Sequence, residues 1–257
     1  MLEQIKTFVL DMDGTIYLGD QLFPYTMDFL RKVNEAGKDF CFFTNNSSKN
    51  RAAYLQKLSH MGIEIAPEQM LISNDVILEW LLEHHPGKSA YVVGTPALLE
   101  DFQTAGVPLA ERDADYVVLG FDTTLTYEKL TIACDLIRGG APVFGVNPDL
   151  NCPTETGFIP DCGSIAALVK ASTGVQCEFF GKPSPHTLRY LLQATGRKPE
   201  ELAVVGDRLY TDIAVAAGTG VTSILVMSGE TTPQMLEDSK IQPDLVVEHI
   251  GQLTELL

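Results

Sequence analysis

The amino-acid sequence predicts an α/β protein, a Rossmann-like and mostly parallel sheet core with an inserted α/β domain. Three observations carry this. Short apolar runs alternate with longer amphipathic segments along all 257 residues, which is the pattern of βαβ units. Three of the apolar runs stop abruptly at polar clusters. The middle of the chain repeats a βαβ pattern of its own without such a cluster. The core is therefore expected over residues 1–78 plus 179–257, and the insert over residues 79–178.

The strands follow from runs of β-branched and aromatic residues. They are expected over Thr7–Leu10, Phe40–Phe43, Ala90–Val93, Tyr116–Leu119, Pro142–Gly145, Leu202–Val205, Ser223–Val226 and Leu245–Val247. Amphipathic segments between them predict helices over Tyr25–Ala36, Ala52–Met61, Val76–His84, Pro96–Ala105, Tyr127–Arg138, Ser164–Ser172, Pro185–Thr195 and Asp212–Ala217. Gly37, Gly62, Gly106, Gly139, Gly196 and Gly218 stand where C-terminal caps are expected. Between Asn147 and Ser164 the Pro- and Gly-containing stretch reads as a loop.

Composition narrows the function classes. Lys and Arg number 18 against 34 Asp and Glu, a formal charge of −16. No basic stripe is available to displace counterions from a nucleic-acid backbone, so a nucleic-acid partner is not expected. Any anionic substrate must instead be held by a local device such as a metal, a lysine or backbone N–H groups. No run approaches the roughly 18 apolar residues of a membrane helix, and MLEQIKTFVLDMDG is not a signal peptide, since its short apolar run meets two aspartates. The five cysteines, Cys41, Cys134, Cys152, Cys162 and Cys177, contain no CxxC pair and read as reduced thiols. A cytoplasmic location with no membrane partner is the expectation. Self-association through the insert is allowed but compelled by no feature.

The polar clusters carry the chemistry. Phe8-Val9-Leu10 runs into Asp11-Met12-Asp13-Gly14-Thr15. Cys41-Phe42-Phe43 runs into Thr44-Asn45-Asn46-Ser47-Ser48, and Ala203-Val204-Val205 into Gly206-Asp207. In an open parallel sheet ligands bind beyond the carboxyl ends of the strands, so all three clusters belong to one edge. Asp11 can attack phosphorus, and Asp13 can exchange a proton with the leaving oxygen and then with water. A hard cation suits such oxygen ligands. The plain alternative is a surface turn, or the start of a calcium loop. The calcium loop fails, because its later ligand and glycine positions hold Thr15, Ile16 and Leu22.

Thr44 and Asn45 can hold phosphate oxygens or cap the following helix. Lys182, between Gly181 and Pro183, can balance phosphate charge or simply be solvated. Asp207 can ligate a cation. Asp212 can orient a metal-bound water or cap a helix. Asn147, Asp149 and Asp122 read first as turn residues, and Trp80 among Ile77, Leu78 and Leu81 as core or interface.

Taken together, DMDGT, the strand-end Thr44, Lys182 and GDRLYTD resemble, in order, the four motifs of the haloacid dehalogenase-like phosphohydrolases. The long insert, TNN, GKP and GDRLYTDI resemble the NagD or para-nitrophenyl phosphatase branch with its C2-type cap. The resemblance implies a Mg2+-dependent phosphatase acting on small phosphorylated metabolites, such as sugar phosphates or nucleoside monophosphates. It implies Asp11 as nucleophile and metal ligand, Asp13 as acid/base and metal ligand through its carbonyl, and Thr44, Asn45 and Lys182 on the phosphate. Asp207 would ligate the metal, with Asp212 just behind it. The same aspartyl-phosphate would also serve a phosphotransferase or phosphomutase. A non-catalytic phosphometabolite-binding protein on this fold is the reading from another class.

Overall fold

A computed structural model describes residues 2–154 and 156–257. Met1, counted with the expected core, and Glu155, within the expected 147–164 loop, lie outside the described residues. The chain forms two compact units. One takes residues up to Thr44, Leu55–Leu71 and Thr187–Leu257; the other takes Asn45–Tyr54 and Ile72–His186.

The first unit is built on a six-stranded sheet. Its order is Leu245–Val247, Thr222–Val226, Leu202–Gly206, Thr7–Leu10, Asp39–Thr44 and Met70–Ile72. Thr7–Leu10 is buried at every position, as is Leu202–Gly206, and they pair in parallel with Leu10 opposite Val205. Thr7–Leu10 also pairs in parallel with Asp39–Thr44. After Thr7–Leu10 the chain moves outward on one side, through Asp39–Thr44, and only much later on the other side, through Leu202–Gly206. The strand order therefore reverses beside Leu10 and Val205, the place where such sheets open a crevice beyond their carboxyl ends. The helix Thr26–Glu35 turns Phe29, Leu30 and Val33 into the core, and Phe29 meets Phe8 edge-on at 5.8 Å.

The second unit has its own parallel sheet, in the order Glu178–Phe179, Val143–Gly145, Tyr116–Leu119 and Ala90–Val93. Helices Tyr127–Arg138 and Cys162–Thr173 bury Ala133, Cys134, Ile137, Ile165, Ala166 and Val169 in one apolar cluster with Val117 and Leu119. Trp80, on helix Ser73–His84, packs at 5.2 Å from the Phe144 ring and 4.9 Å from that of Phe180. Asp122 receives the Thr124 N–H and forms a 2.6 Å ion pair with Lys129, in keeping with its turn reading.

Each expected strand is present, with ends shifted by a residue or so. Several elements differ from expectation. Tyr17–Leu18 and Gln21–Leu22 form a two-stranded hairpin, and the 147–164 stretch contains another, Asn151–Thr154 with Gly157–Pro160. The helix expected at Asp212–Ala217 is instead one wide turn, Leu209–Ile213, followed by irregular turns. Gly139 caps the helix Tyr127–Arg138 as expected, and the positive φ falls on the next residue, Gly140. Among the described residues no helix is long and apolar enough to cross a membrane. Among the described residues none of the five cysteines forms a disulfide.

Candidate active site

The ladder positions Asp11. Its N–H donates to the Val205 carbonyl at 2.8 Å, carrying the pairing one residue past the strand. Met12 is fully buried and its carbonyl accepts the N–H groups of Thr15 and Ile16. Gly14, at φ +84°, completes the reversal. A side chain there would be impossible on a second count, because its Cβ would lie 2.5 Å from Asp207 Oδ2. The turn returns the chain so that the Tyr17 hydroxyl donates to Asp13 Oδ2 at 3.2 Å.

Asp207, 3% exposed, and Asp212, 1% exposed, lie with Asp11 in one group. A carboxylate oxygen of each comes within 4.8 Å of the other two. Glu230 N–H donates to Asp207 Oδ2 at 2.6 Å, and the Thr231 hydroxyl to the Asp207 carbonyl at 2.5 Å. Among the described residues Asp207 Oδ1, which is buried, finds no hydrogen-bond partner. Burial first, then the charges of Asp11 and Asp212, pushes the Asp207 carboxyl well above the usual carboxylate range. Three acids so close repel one another, and the orphaned oxygen has no hydrogen-bond donor among the described residues. A hard divalent cation supplies both needs, so the residues fit magnesium. Asp212 also acts locally: its Oδ2 accepts the Arg208 N–H at 3.0 Å. The local role of Asp212 and its place in the acidic group are compatible.

Sequence reasoning missed the loop that holds Asp207. Ser228-Gly229-Glu230-Thr231 follows the strand Thr222–Val226, on the same sheet edge as the three clusters singled out above. The Ser228 hydroxyl donates to the Gly14 carbonyl at 2.7 Å. A Cβ on Gly229 would stand 2.0 Å from Asp207 Oδ2. An apolar strand ending in a polar cluster was the available signal.

Thr44 ends its strand in the first unit and is buried. Asn45 and Lys182 meet in the second unit. The Asn45 amide donates to the Lys182 carbonyl at 3.0 Å and to Asp149 Oδ2 at 2.8 Å, and its Oδ1 accepts the Lys182 N–H at 2.8 Å. Lys182, 2% exposed, is followed by a cis peptide to Pro183. Asn147 donates to both Asp149 and Asp161 at 2.9 Å, so Asn147 and Asp149 form a buried network behind Lys182. Gly181 is required there, since its Cβ would lie 2.7 Å from Asn45 Oδ1.

A parallel sheet with clustered aspartates beyond its central strands defines the class, and the chain belongs to the haloacid dehalogenase-like hydrolase family. The family model "Haloacid dehalogenase-like hydrolase" matches residues 8–108, and one described as HAD-hydrolase-like matches residues 179–253. The chain is 35% identical over 243 residues to an acid sugar phosphatase of Staphylococcus aureus, covering 94% of each chain. A 4-nitrophenylphosphatase from Thermotoga maritima superposes with a TM-score of 0.95 at 42% identity, covering 99% of this chain and 98% of that one. NagD from E. coli superposes at 0.89 with 26% identity, covering 96% and 98%. Within the family the chain falls in the NagD and para-nitrophenyl phosphatase branch, and it is a phosphatase.

Proposed function

We propose that the protein is a magnesium-dependent phosphatase that hydrolyses phosphate monoesters of small metabolites through an aspartyl-phosphate on Asp11. The observation that carries this is the cluster of Asp11, Asp207 and Asp212 at the point where the strand order reverses, with the Asp207 oxygen buried and without a hydrogen-bond partner among the described residues. Asp11, the Asp13 carbonyl and Asp207 would hold the ion, with Asp212 steadying this group from behind. Bound there, magnesium would offset the charge shared by the carboxylates and the phosphate.

The chain's own residues do the rest. Asp11 attacks phosphorus in line, while Asp13 gives its proton to the departing ester oxygen. Asp13 then takes a proton from the water that releases phosphate. The Thr44 hydroxyl and the Lys182 ammonium hold the equatorial phosphate oxygens, where stabilisation of phosphoryl transfer mainly lies. The side chain of Asn45 is committed to Lys182 and Asp149. Through these bonds it serves the phosphate by fixing Lys182. Sugar phosphates lead the substrate classes, because relatives over 94% of the chain carry the name acid sugar phosphatase; nucleoside monophosphates come next.

The test is a phosphate-release screen over sugar phosphates, nucleoside monophosphates and an aryl phosphate, with magnesium and an Asp11→Asn control. Release from sugar phosphates that vanishes in the control is expected. Turnover retained by Asp11→Asn would sink the nucleophile assignment, and transfer to an added sugar acceptor in place of free phosphate would make the enzyme a phosphotransferase.

A further inference from the structure

Tyr17 is fully buried, and polar contacts surround it and hold its backbone. The Gly14 N–H donates to the Tyr17 carbonyl at 2.8 Å, and Tyr17 pairs with Leu22 across the hairpin. The carbonyl of the preceding residue, Ile16, accepts both the Thr26 hydroxyl at 2.7 Å and the Phe23 N–H at 3.1 Å. The Lys57 ammonium lies 3.9 Å from the Tyr17 ring centroid. A cation over the ring face is attracted to it and helps to hold the ring in place. That phenol donates to Asp13 Oδ2 at 3.2 Å. A phenylalanine would fill nearly the same volume, so what the hydroxyl adds is the bond to Asp13.

We propose that Tyr17 is a positioning residue for proton transfer by Asp13: its hydroxyl fixes the plane of the Asp13 carboxyl so that the acid faces the departing ester oxygen. The inference rests on Asp13 being the acid of the phosphatase reading. In the step concerned, a bond forms between Asp11 and phosphorus while the bond from phosphorus to the ester oxygen breaks. The Asp13 proton moves to that oxygen, leaving Asp13 ionised and the alcohol neutral; Tyr17 keeps its own proton throughout. General acid catalysis of this kind is worth about 10²- to 10⁴-fold, and it depends on geometry before anything else.

The consequence is selective for the leaving group. A nitrophenolate departs with little help, whereas an alkoxide from a sugar phosphate needs the proton. The quantity to measure is kcat/KM, which covers the steps up to leaving-group departure and excludes the later attack of water common to both substrates. Tyr17→Phe is expected to lower kcat/KM on a sugar phosphate by about tenfold and on para-nitrophenyl phosphate by less than about twofold. Asp13→Asn is expected to show the same selectivity more strongly. Equal losses on both substrates in Tyr17→Phe, or no loss on either, would overturn the positioning role while a selective Asp13→Asn leaves the acid assignment standing. An unselective Asp13→Asn would overturn the acid assignment itself and this inference with it.

Discussion

Replacing Gly229 with alanine tests how the site holds its deepest acid. The added Cβ would lie 2.0 Å from Asp207 Oδ2, 2.4 Å from its Cγ and 2.6 Å from its Cβ. Non-bonded carbon atoms settle at about 3.5–4.0 Å, so an overlap of more than 1 Å must be relieved. Asp207 cannot retreat freely: it is 3% exposed and tied to the Glu230 N–H and to Thr231. Overpacking of this kind costs about 1–3 kcal/mol. If the strain falls on the geometry that receives the cation, magnesium affinity drops by about 5- to 150-fold. The assay is a magnesium titration followed both by calorimetry and by phosphate release, with far-ultraviolet circular dichroism to confirm the fold. Activity restored by raised magnesium is the expected signature. Unchanged magnesium affinity in a folded Gly229→Ala protein would refute the cradle.

Two other expectations concern the second unit. Asn45→Leu keeps the branched outline of the side chain but removes two donors and one acceptor around Lys182 and Asp149; a loss of about 3 kcal/mol in urea unfolding is expected, together with weaker substrate binding, and a change below about 0.5 kcal/mol would deny these bonds their importance. For Asp101, burial pushes the carboxyl up from 3.8 to about 6, opposed by the Asn74 amide that donates to it at 2.8 Å. Because the folded value lies above the unfolded one, the native state keeps its proton longer. Its stabilising contribution is full below about pH 4 and is lost as pH rises through about 6. Carbon-13 NMR should find this carboxyl titrating near 6, and Asp101→Asn should flatten that part of the stability profile; titration near 4 would count against the burial argument.

The motifs were legible because each one interrupts an apolar strand. Phe8-Val9-Leu10 cannot continue into Asp11 as core, and Val204-Val205 cannot continue into Asp207. An abrupt change of that kind needs no knowledge of distant partners. The hairpin at Tyr17–Leu22 was not legible, since strands of two residues carry no periodicity. Only the Gly19-Asp20 pair, with Gly19 at φ +60°, marks the reversal. The segment after Asp207 was misjudged for a related reason. A helix was expected from Asp212 onward, but the Asp212 carboxylate bends back to the Arg208 N–H, and Gly206 must lack a side chain, since a Cβ there would lie 2.3–2.5 Å from the Asp212 side chain. Gly229 against Asp207, and Asn45 against Lys182, are contacts between residues far apart in the chain. Nothing local in either segment announces them.

The account turns on Asp11 as the group that carries the phosphoryl moiety. Acid-quenching the enzyme in turnover with phosphorus-32-labelled substrate, then mapping the labelled peptide, tests this most directly. The account expects label on the peptide holding Asp11, absent from Asp11→Asn. Steady turnover with no label on that peptide, or label retained in Asp11→Asn, would contradict it.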